Sequence, residues 1–117
     1  MNDLWDLAEK SCTPCKGGVP PLVGDELTAL AGKLSPEWSV ESGHHLICTY
    51  PFRNFKQALA FANAIGEVAE KENHHPEITL TWGLVTVRIW THKIDGLTES
   101  DFILAAKISA LQKPTFR

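Results

Sequence analysis

The chain has 117 residues, of which 44% are hydrophobic and 21% charged, and its 11 basic and 14 acidic residues give a formal net charge of −3 with the histidines neutral. This composition supports one compact core and excludes a disordered polyampholyte. Because nucleic-acid binding depends on clustered cations, the weakly acidic balance also argues against a dedicated nucleic-acid-binding protein.

The sequence carries no recognisable targeting or membrane signal. No apolar stretch approaches the ~20 residues needed to cross a bilayer, so we predict no membrane-spanning helix. Residues 1–6 include two acidic side chains and lack the basic and apolar regions of a secretory signal. The three cysteines do not form the even-numbered framework of a small secreted protein, so reduced thiols are expected. We therefore expect a cytoplasmic protein.

The first half of the chain is predicted to contain an arm, a helix and a hairpin. Glycines and prolines punctuate residues 1–21, which predicts an irregular N-terminal arm. Asp25 is then placed to cap a short helix that ends before Pro36. Residues 38–50 alternate apolar and polar side chains around a turn at 41–43, which predicts a β-hairpin.

The second half of the chain is predicted to contain a helix, a hairpin and a last helix. Apolar residues at helical spacing follow Asn54, which with Gln57 forms a capping pair for a long central helix that cannot continue through Pro76. Residues 78–89 alternate on either side of a glycine, which predicts a second hairpin. Thr98 and Asp101 have the spacing of a capping box at the start of a last helix.

Two hairpins joined by a crossover helix most simply form one four-stranded antiparallel sheet with three helices packed on one face, which is an α+β fold in the order α-β-β-α-β-β-α. We expect this domain to span residues 22–113, after the arm at 1–21 and before a tail at 114–117. Such a sheet leaves its edges and its other face uncovered, so a homodimer or homotetramer is expected.

The densest chemical signal is a set of three histidines around the second hairpin. His74 and His75 precede its first strand, and His92 follows its second strand, so strand pairing brings the three side chains together. Imidazole donates or accepts a proton near neutral pH, which suits general acid and base catalysis. Two alternatives stay open: each histidine could cap a helix or lie in solvent, and the three together could bind zinc, although no fourth ligand is evident.

Other candidate residues give weaker signals. His44 and His45 open a predicted strand, where alternation sends their rings to opposite faces, and we interpret them as solvated strand residues. Cys12 and Cys15 have the spacing of a redox motif but precede every predicted element, which favours structural thiols or a facultative disulfide over catalysis. Trp90, at a strand end, is placed to pack on the sheet or to line a pocket for a flat ring.

Three segments together resemble the pterin-4a-carbinolamine dehydratase family: EKENHHPE at 70–77, Thr91–His92, and GLTESD at 96–101. The resemblance spans about residues 22–111, and the arm at 12–22 is similar to that of bacterial members. It implies an α+β fold and the dehydration of 4a-hydroxytetrahydrobiopterin to quinonoid dihydrobiopterin. This reaction recycles the pterin of aromatic amino acid hydroxylases, which implies a functional link to such an enzyme. The resemblance implies no metal and no organic cofactor.

The family's site residues carry over by position. The catalytic set falls on His74, His75 and His92, and the substrate-binding set falls on Glu70, Pro76 and Asp101. On this view His74 is the acid and base partner, His75 a second proton-transfer or pterin-binding group, and His92 a substrate-holding group, with the order of acid and base left open. Where many members have tryptophan after His-His-Pro-Glu, this chain has Ile78, so a different pocket wall is expected.

Two non-catalytic alternatives also follow from the resemblance. Animal members serve as dimerization partners of a homeodomain transcription factor, and a pterin-binding protein without catalysis would keep the same fold. Three titratable groups converging on one hairpin favour the enzyme, because an interaction module does not need them. Asp101 has both a capping role and a pocket role open to it.

Overall fold

One antiparallel sheet organises the computed structural model, which describes residues 7–13 and 20–111. The elements in chain order are α1 (Gly24–Ala31), β1 (Ser39–Glu41), β2 (His45–Pro51), α2 (Phe55–Glu72), β3 (Glu77–Thr81), β4 (Leu84–Ile89), a 3₁₀ turn (His92–Ile94) and α3 (Glu99–Ala110). The four strands lie in the order β1-β2-β4-β3, all neighbours antiparallel. The predicted α+β fold is confirmed.

The core lies between one face of the sheet and the helices α2 and α3. Alternation along β2 and β4 places their apolar side chains directly opposite one another on this face, in the pairs Leu46 with Ile89, Cys48 with Val87, and Tyr50 with Val85. All six are buried, together with Phe61 and Ile65 of α2 and Phe102 and Leu104 of α3. Burial raises the pKa of the Tyr50 hydroxyl. The opposite face of the sheet is more accessible to solvent and mostly polar, although it also carries Ile47, Pro51 and Leu84.

The ends of α2 and α3 follow the sequence signals. Gln57 N–H donates to the Asn54 side chain at 2.8 Å, and the predicted capping box of Thr98 and Asp101 is present at the start of α3. Helix α2 ends at Asn73, whose left-handed conformation (φ 53°) redirects the chain towards the second hairpin.

Helix α1 begins differently from the prediction. Its N-cap is Val23, which makes no side-chain capping bond, and Asp25 lies inside the first turn. The prediction that Asp25 caps this helix is therefore wrong. An acidic side chain in the first turn still interacts favourably with the helix dipole.

The described part of the N-terminal arm packs against the domain. Residues 7–9 are helical where an irregular chain was predicted, and Leu7 is buried in the core. Further along, the backbone N–H of Leu22 donates to the carbonyl of Leu97 at 2.8 Å. Next to this bond, a Cβ placed on Gly96 would lie 2.5 Å from Pro21 Cβ, so the two segments are in close contact. Cys15 and the predicted tail at 114–117 lie outside the described residues.

Candidate functional site

A cavity of about 330 Å³ opens where the end of α2 meets the end of β4. Its wall is formed by Thr13, Asn73, His74, His75, Trp90, Thr91, His92 and Lys93. The second hairpin thus brings together the three histidines that its strand pairing predicts.

His74 is held by a buried carboxylate. Its Nε2 lies 2.6 Å from Asp101 Oδ1, and the Asp101 side chain is fully buried. The other oxygen, Oδ2, accepts bonds from the Thr91 hydroxyl and the Thr98 backbone N–H, both at 2.8 Å. Because a carboxylate only accepts, the Nε2 of His74 donates, and Nδ1 is the ring nitrogen that is not engaged by Asp101.

His75 has a carboxylate partner in solvent. Its Nε2 bonds to Glu70, which lies in the last turns of α2, and the two side chains are 55% and 77% exposed. An ion pair this exposed contributes little to folding stability. It does orient the ring at the rim of the cavity, where water reaches it.

His92 and Trp90 form the aromatic part of the wall. Their ring centroids are 4.4 Å apart with an interplanar angle of 34°. Within residues 7–13 and 20–111, neither ring nitrogen of His92 has a hydrogen-bond partner. Ile78 pairs with Val87 on the core side of the sheet and is not part of the wall. The aromatic surface therefore comes from the residues that follow β4 rather than from position 78.

A second histidine pair, predicted to be solvated strand residues, lies beside Trp90. The Nδ1 atoms of His44 and His45 are 3.1 Å apart, and their ring centroids are 5.5 and 5.9 Å from the Trp90 ring. The prediction that these rings point to opposite faces is wrong, because His44 belongs to the turn before β2 and not to the strand. The pairing of Leu46 with Ile89 places His45 beside Trp90, and this register is the signal that would have found the cluster.

The predicted substrate-binding residues lie outside the cavity wall. Asp101 and Glu70 contact His74 and His75 respectively, and Pro76 separates His75 from the start of β3. Four wall residues, Thr13, Asn73, Thr91 and Lys93, were not predicted as site residues from the sequence.

Two negative findings apply to the part of the chain that the structure describes. No group of three or more His, Cys, Asp or Glu side chains there is arranged to hold a metal ion. No helix among those residues is long and apolar enough to span a membrane.

Comparisons with known proteins agree with one another. Residues 20–111 match the family model described as pterin 4 alpha carbinolamine dehydratase. A protein of Rubrobacter xylanophilus that carries this family's name is 58% identical over 108 residues, which cover 92% of this chain and 100% of the relative. One from Rickettsia bellii, similarly named, is 56% identical over 112 residues, which cover 96% of this chain and 99% of the relative.

Solved structures show the same fold. A transcriptional coactivator/pterin dehydratase from Brucella melitensis superposes with a TM-score of 0.73 at 29% identity, over 80% of this chain and 99% of its own. A pterin dehydratase-like protein identified as a RuBisCO assembly factor in the alpha-carboxysome has a TM-score of 0.55 at 22% identity, over 64% of this chain and 88% of its own. The second likeness shows the fold alone.

Proposed function

Because the chain belongs to the pterin-4-alpha-carbinolamine dehydratase family, we propose that it is a hydro-lyase that removes water from the 4a-carbinolamine of a tetrahydropterin. The substrate would be 4a-hydroxytetrahydrobiopterin and the product quinonoid dihydrobiopterin. The observation that carries the proposal is the cavity with three histidines on its wall, one of them held by the fully buried Asp101.

The reaction needs one proton delivered and one removed. The C4a–O bond breaks as the hydroxyl takes up a proton and leaves as water, and the C4a=N5 double bond forms as N5 loses its proton. The base in this proposal is His74, with Nδ1 accepting the N5 proton while Nε2 donates to Asp101. The buried carboxylate then stabilises the imidazolium that forms.

The remaining groups supply the acid and the substrate contacts. His75 delivers the proton to the leaving hydroxyl, because its half-exposed ring can be reprotonated from water after each turnover. His92 and Trp90 hold the flat pterin ring through hydrogen bonds and aromatic contact. Glu70 and Asp101 act as positioning residues through the histidines they contact, and Pro76 fixes the direction of the chain after His75.

The proposed biological role is the recycling, in the cytoplasm, of a pterin released by an aromatic amino acid hydroxylase. That class of reaction produces the 4a-carbinolamine that this site would consume. A non-catalytic binding role is less well supported, since binding alone does not require a buried carboxylate behind a cavity-lining histidine.

The test is the rate of carbinolamine dehydration with purified protein, measured by stopped-flow absorbance against the uncatalysed rate. We expect acceleration that survives exhaustive treatment with a chelator, because the site offers proton-transfer groups and no set of three metal-ligating side chains within the described ranges. Loss of the acceleration on chelation and its return with zinc would contradict the metal-free mechanism. No acceleration in any condition would refute the proposed function.

We also propose that the protein is a homodimer or homotetramer. The outer face of the sheet carries a row of threonines, Thr79, Thr86 and Thr49, aligned across β3, β4 and β2, and β1 and β3 are edge strands. Pairing of subunits would cover this face or an edge. Sedimentation at micromolar concentration should give a species larger than one chain, and a monomer with full activity would contradict this prediction.

A further inference from the structure

One residue of the cavity wall lies outside the family match. The match begins at residue 20, whereas Thr13 lines the cavity together with residues 73–75 and 90–93. We infer that Thr13 is a specificity-determining residue, whose hydroxyl binds a hydroxylated substituent at C6 of the pterin. This inference rests on the proposed function and adds to it a residue that recognises the part of the substrate that does not react.

Thr13 is fixed in place by the N-terminus of α3. Its backbone N–H donates to the Ser100 hydroxyl at 3.1 Å, and that hydroxyl donates back to the Thr13 carbonyl at 3.4 Å. Ser100 is buried whereas Thr13 is exposed, so this reciprocal pair lies at the boundary between the interior and the surface. The position of Thr13 is therefore determined by backbone bonds, and its side chain remains available to the cavity.

Cys12 ties the same segment to the C-terminal end of α2. Its backbone N–H donates to Glu72 Oε1 at 2.9 Å, and its thiol donates to the Ser100 carbonyl at 3.5 Å. Glu72 also lies 3.6 Å from Lys107 of α3, so its charge is balanced. We call residues 12–13 the strap, because they join α2 to α3.

The strap connects the two chain positions that carry the proposed base and its carboxylate. Glu72 lies two residues before His74, and Ser100 directly precedes Asp101. The strap and the bond between His74 and Asp101 therefore join α2 to α3 at the same place. Thr13 is consequently held at a defined position relative to the reacting groups.

The geometry of the substrate favours contact between Thr13 and the C6 substituent. The 4a-hydroxyl and the N5 proton must lie within hydrogen-bonding reach of the histidines. C6 is bonded to N5, so in this inference its substituent extends from the reacting groups along the wall to which Thr13 belongs. In the described part of the chain the Thr13 hydroxyl has no hydrogen-bond partner, and a hydroxyl both donates and accepts. The Thr13 hydroxyl can therefore form hydrogen bonds with a dihydroxypropyl chain but not with a methyl group.

The experiment compares two substrates, the 4a-carbinolamines of tetrahydrobiopterin and of 6-methyltetrahydropterin, in the full-length protein. We expect the wild-type kcat/KM to favour the hydroxylated substrate. A neutral hydrogen bond contributes about 0.5–1.5 kcal/mol, so Thr13→Val should reduce this preference about 3- to 10-fold, mainly through KM. Thr13→Ser, which keeps the hydroxyl, should retain it, and Thr13→Ala provides a second variant without it.

Two further variants test whether the preference depends on the anchoring of Thr13 by Ser100 and not on other contacts of the same segment. Ser100→Ala removes the hydroxyl that anchors Thr13 and should reduce the preference in the same direction. Lys10→Ala removes only an exposed ion pair with Glu99 from the same segment and should leave the preference unchanged.

The outcomes distinguish this inference from the proposed function. Wild-type protein that accelerates neither dehydration refutes the proposed function. Wild-type protein that accelerates both without preferring the hydroxylated substrate, or Thr13→Val and Thr13→Ala variants that keep the full preference, would overturn the role of Thr13 while leaving the dehydratase intact.

Discussion

The chain contains two pairs of adjacent histidines, His44–His45 and His74–His75, and builds different arrangements from the same kinds of groups. In both pairs each Nε2 faces a carboxylate, and the partners are Asp95, Glu41, Asp101 and Glu70 in that order. The pairs differ in what the second ring nitrogen meets. In the first pair the two Nδ1 atoms contact each other at 3.1 Å, whereas in the second pair both rings line the cavity.

This difference shows why a carboxylate partner alone does not define a catalytic histidine. The contact between His44 and His45 occupies the remaining nitrogen of each ring, so neither is left to exchange a proton with a ligand. Asp95 is 86% exposed, whereas Asp101 is fully buried and accepts bonds on both oxygens. Only the second arrangement combines a fixed ring with an unoccupied nitrogen at a cavity.

The largest predicted effect tests this contrast directly. Replacing both His74 and His75 by alanine should lower kcat about 10²- to 10⁴-fold, the range typical for loss of a general acid or base. The double variant is needed because adjacent imidazoles could substitute for each other. The matched control, His44→Ala with His45→Ala, should retain kcat within a few-fold and change the tryptophan fluorescence, since both rings contact Trp90. Equal losses in the two double variants would remove the distinction between the pairs.

Replacing the carboxylate partners of the two histidine pairs should show the same contrast, with a smaller effect on kcat. Asp101→Asn removes a charge-assisted bond to His74, worth about 1.5–3 kcal/mol, and should lower kcat about 10- to 100-fold with little change in KM. Asp95→Asn affects only an exposed pair and should cost less than about 1 kcal/mol of unfolding free energy. Steady-state kinetics and urea unfolding of both variants measure these effects. An Asp101→Asn enzyme with normal kcat would contradict the assigned positioning role.

The smallest effect on activity concerns the cysteine beside the second pair. Burial, together with the Glu72 carboxylate, raises the pKa of the Cys12 thiol from 9.0 to about 12. A raised pKa leaves less thiolate at any given pH, so at pH 8 Cys12 should be alkylated about 10³-fold more slowly than an ordinary thiol. Replacing Cys12 and Cys15 by serine should change activity little, because Cys12 bonds to Glu72 through its backbone. Iodoacetamide labelling read by peptide mass spectrometry measures the alkylation rate of Cys12, with guanidinium-unfolded protein as control. Rapid labelling of folded protein would show that this side of the cavity is open.

The order of elements was predictable because each one has a local cause. Alternation in β2 and β4, the capping bond between Asn54 and Gln57, and the stop at Pro76 all lie within a few residues of the feature they determine. The convergence of the cavity histidines followed as well, since all three flank a single hairpin.

The remaining features depend on contacts between distant parts of the chain. Leu7 is buried by a core that forms far along the sequence, so an arm rich in glycine and proline gave no sign of it. The cluster of His44 with Trp90 requires the non-consecutive pairing of β2 with β4, which strand alternation does not determine. Asp25 is a residue type that often caps helices, but the helix begins at Gly24, two residues before the start at Glu26 that capping by Asp25 would give.

The close contact between Gly96 and Pro21 also places a constraint on how this sequence can change over evolutionary time. A Cβ at position 96 would lie 2.5 Å from the Cβ of Pro21, an atom attached directly to the backbone that cannot swing aside as the end of a long flexible side chain can. Because every residue except glycine carries a Cβ, position 96 can accept a larger residue only where position 21 becomes glycine or the backbone of one of the two segments moves.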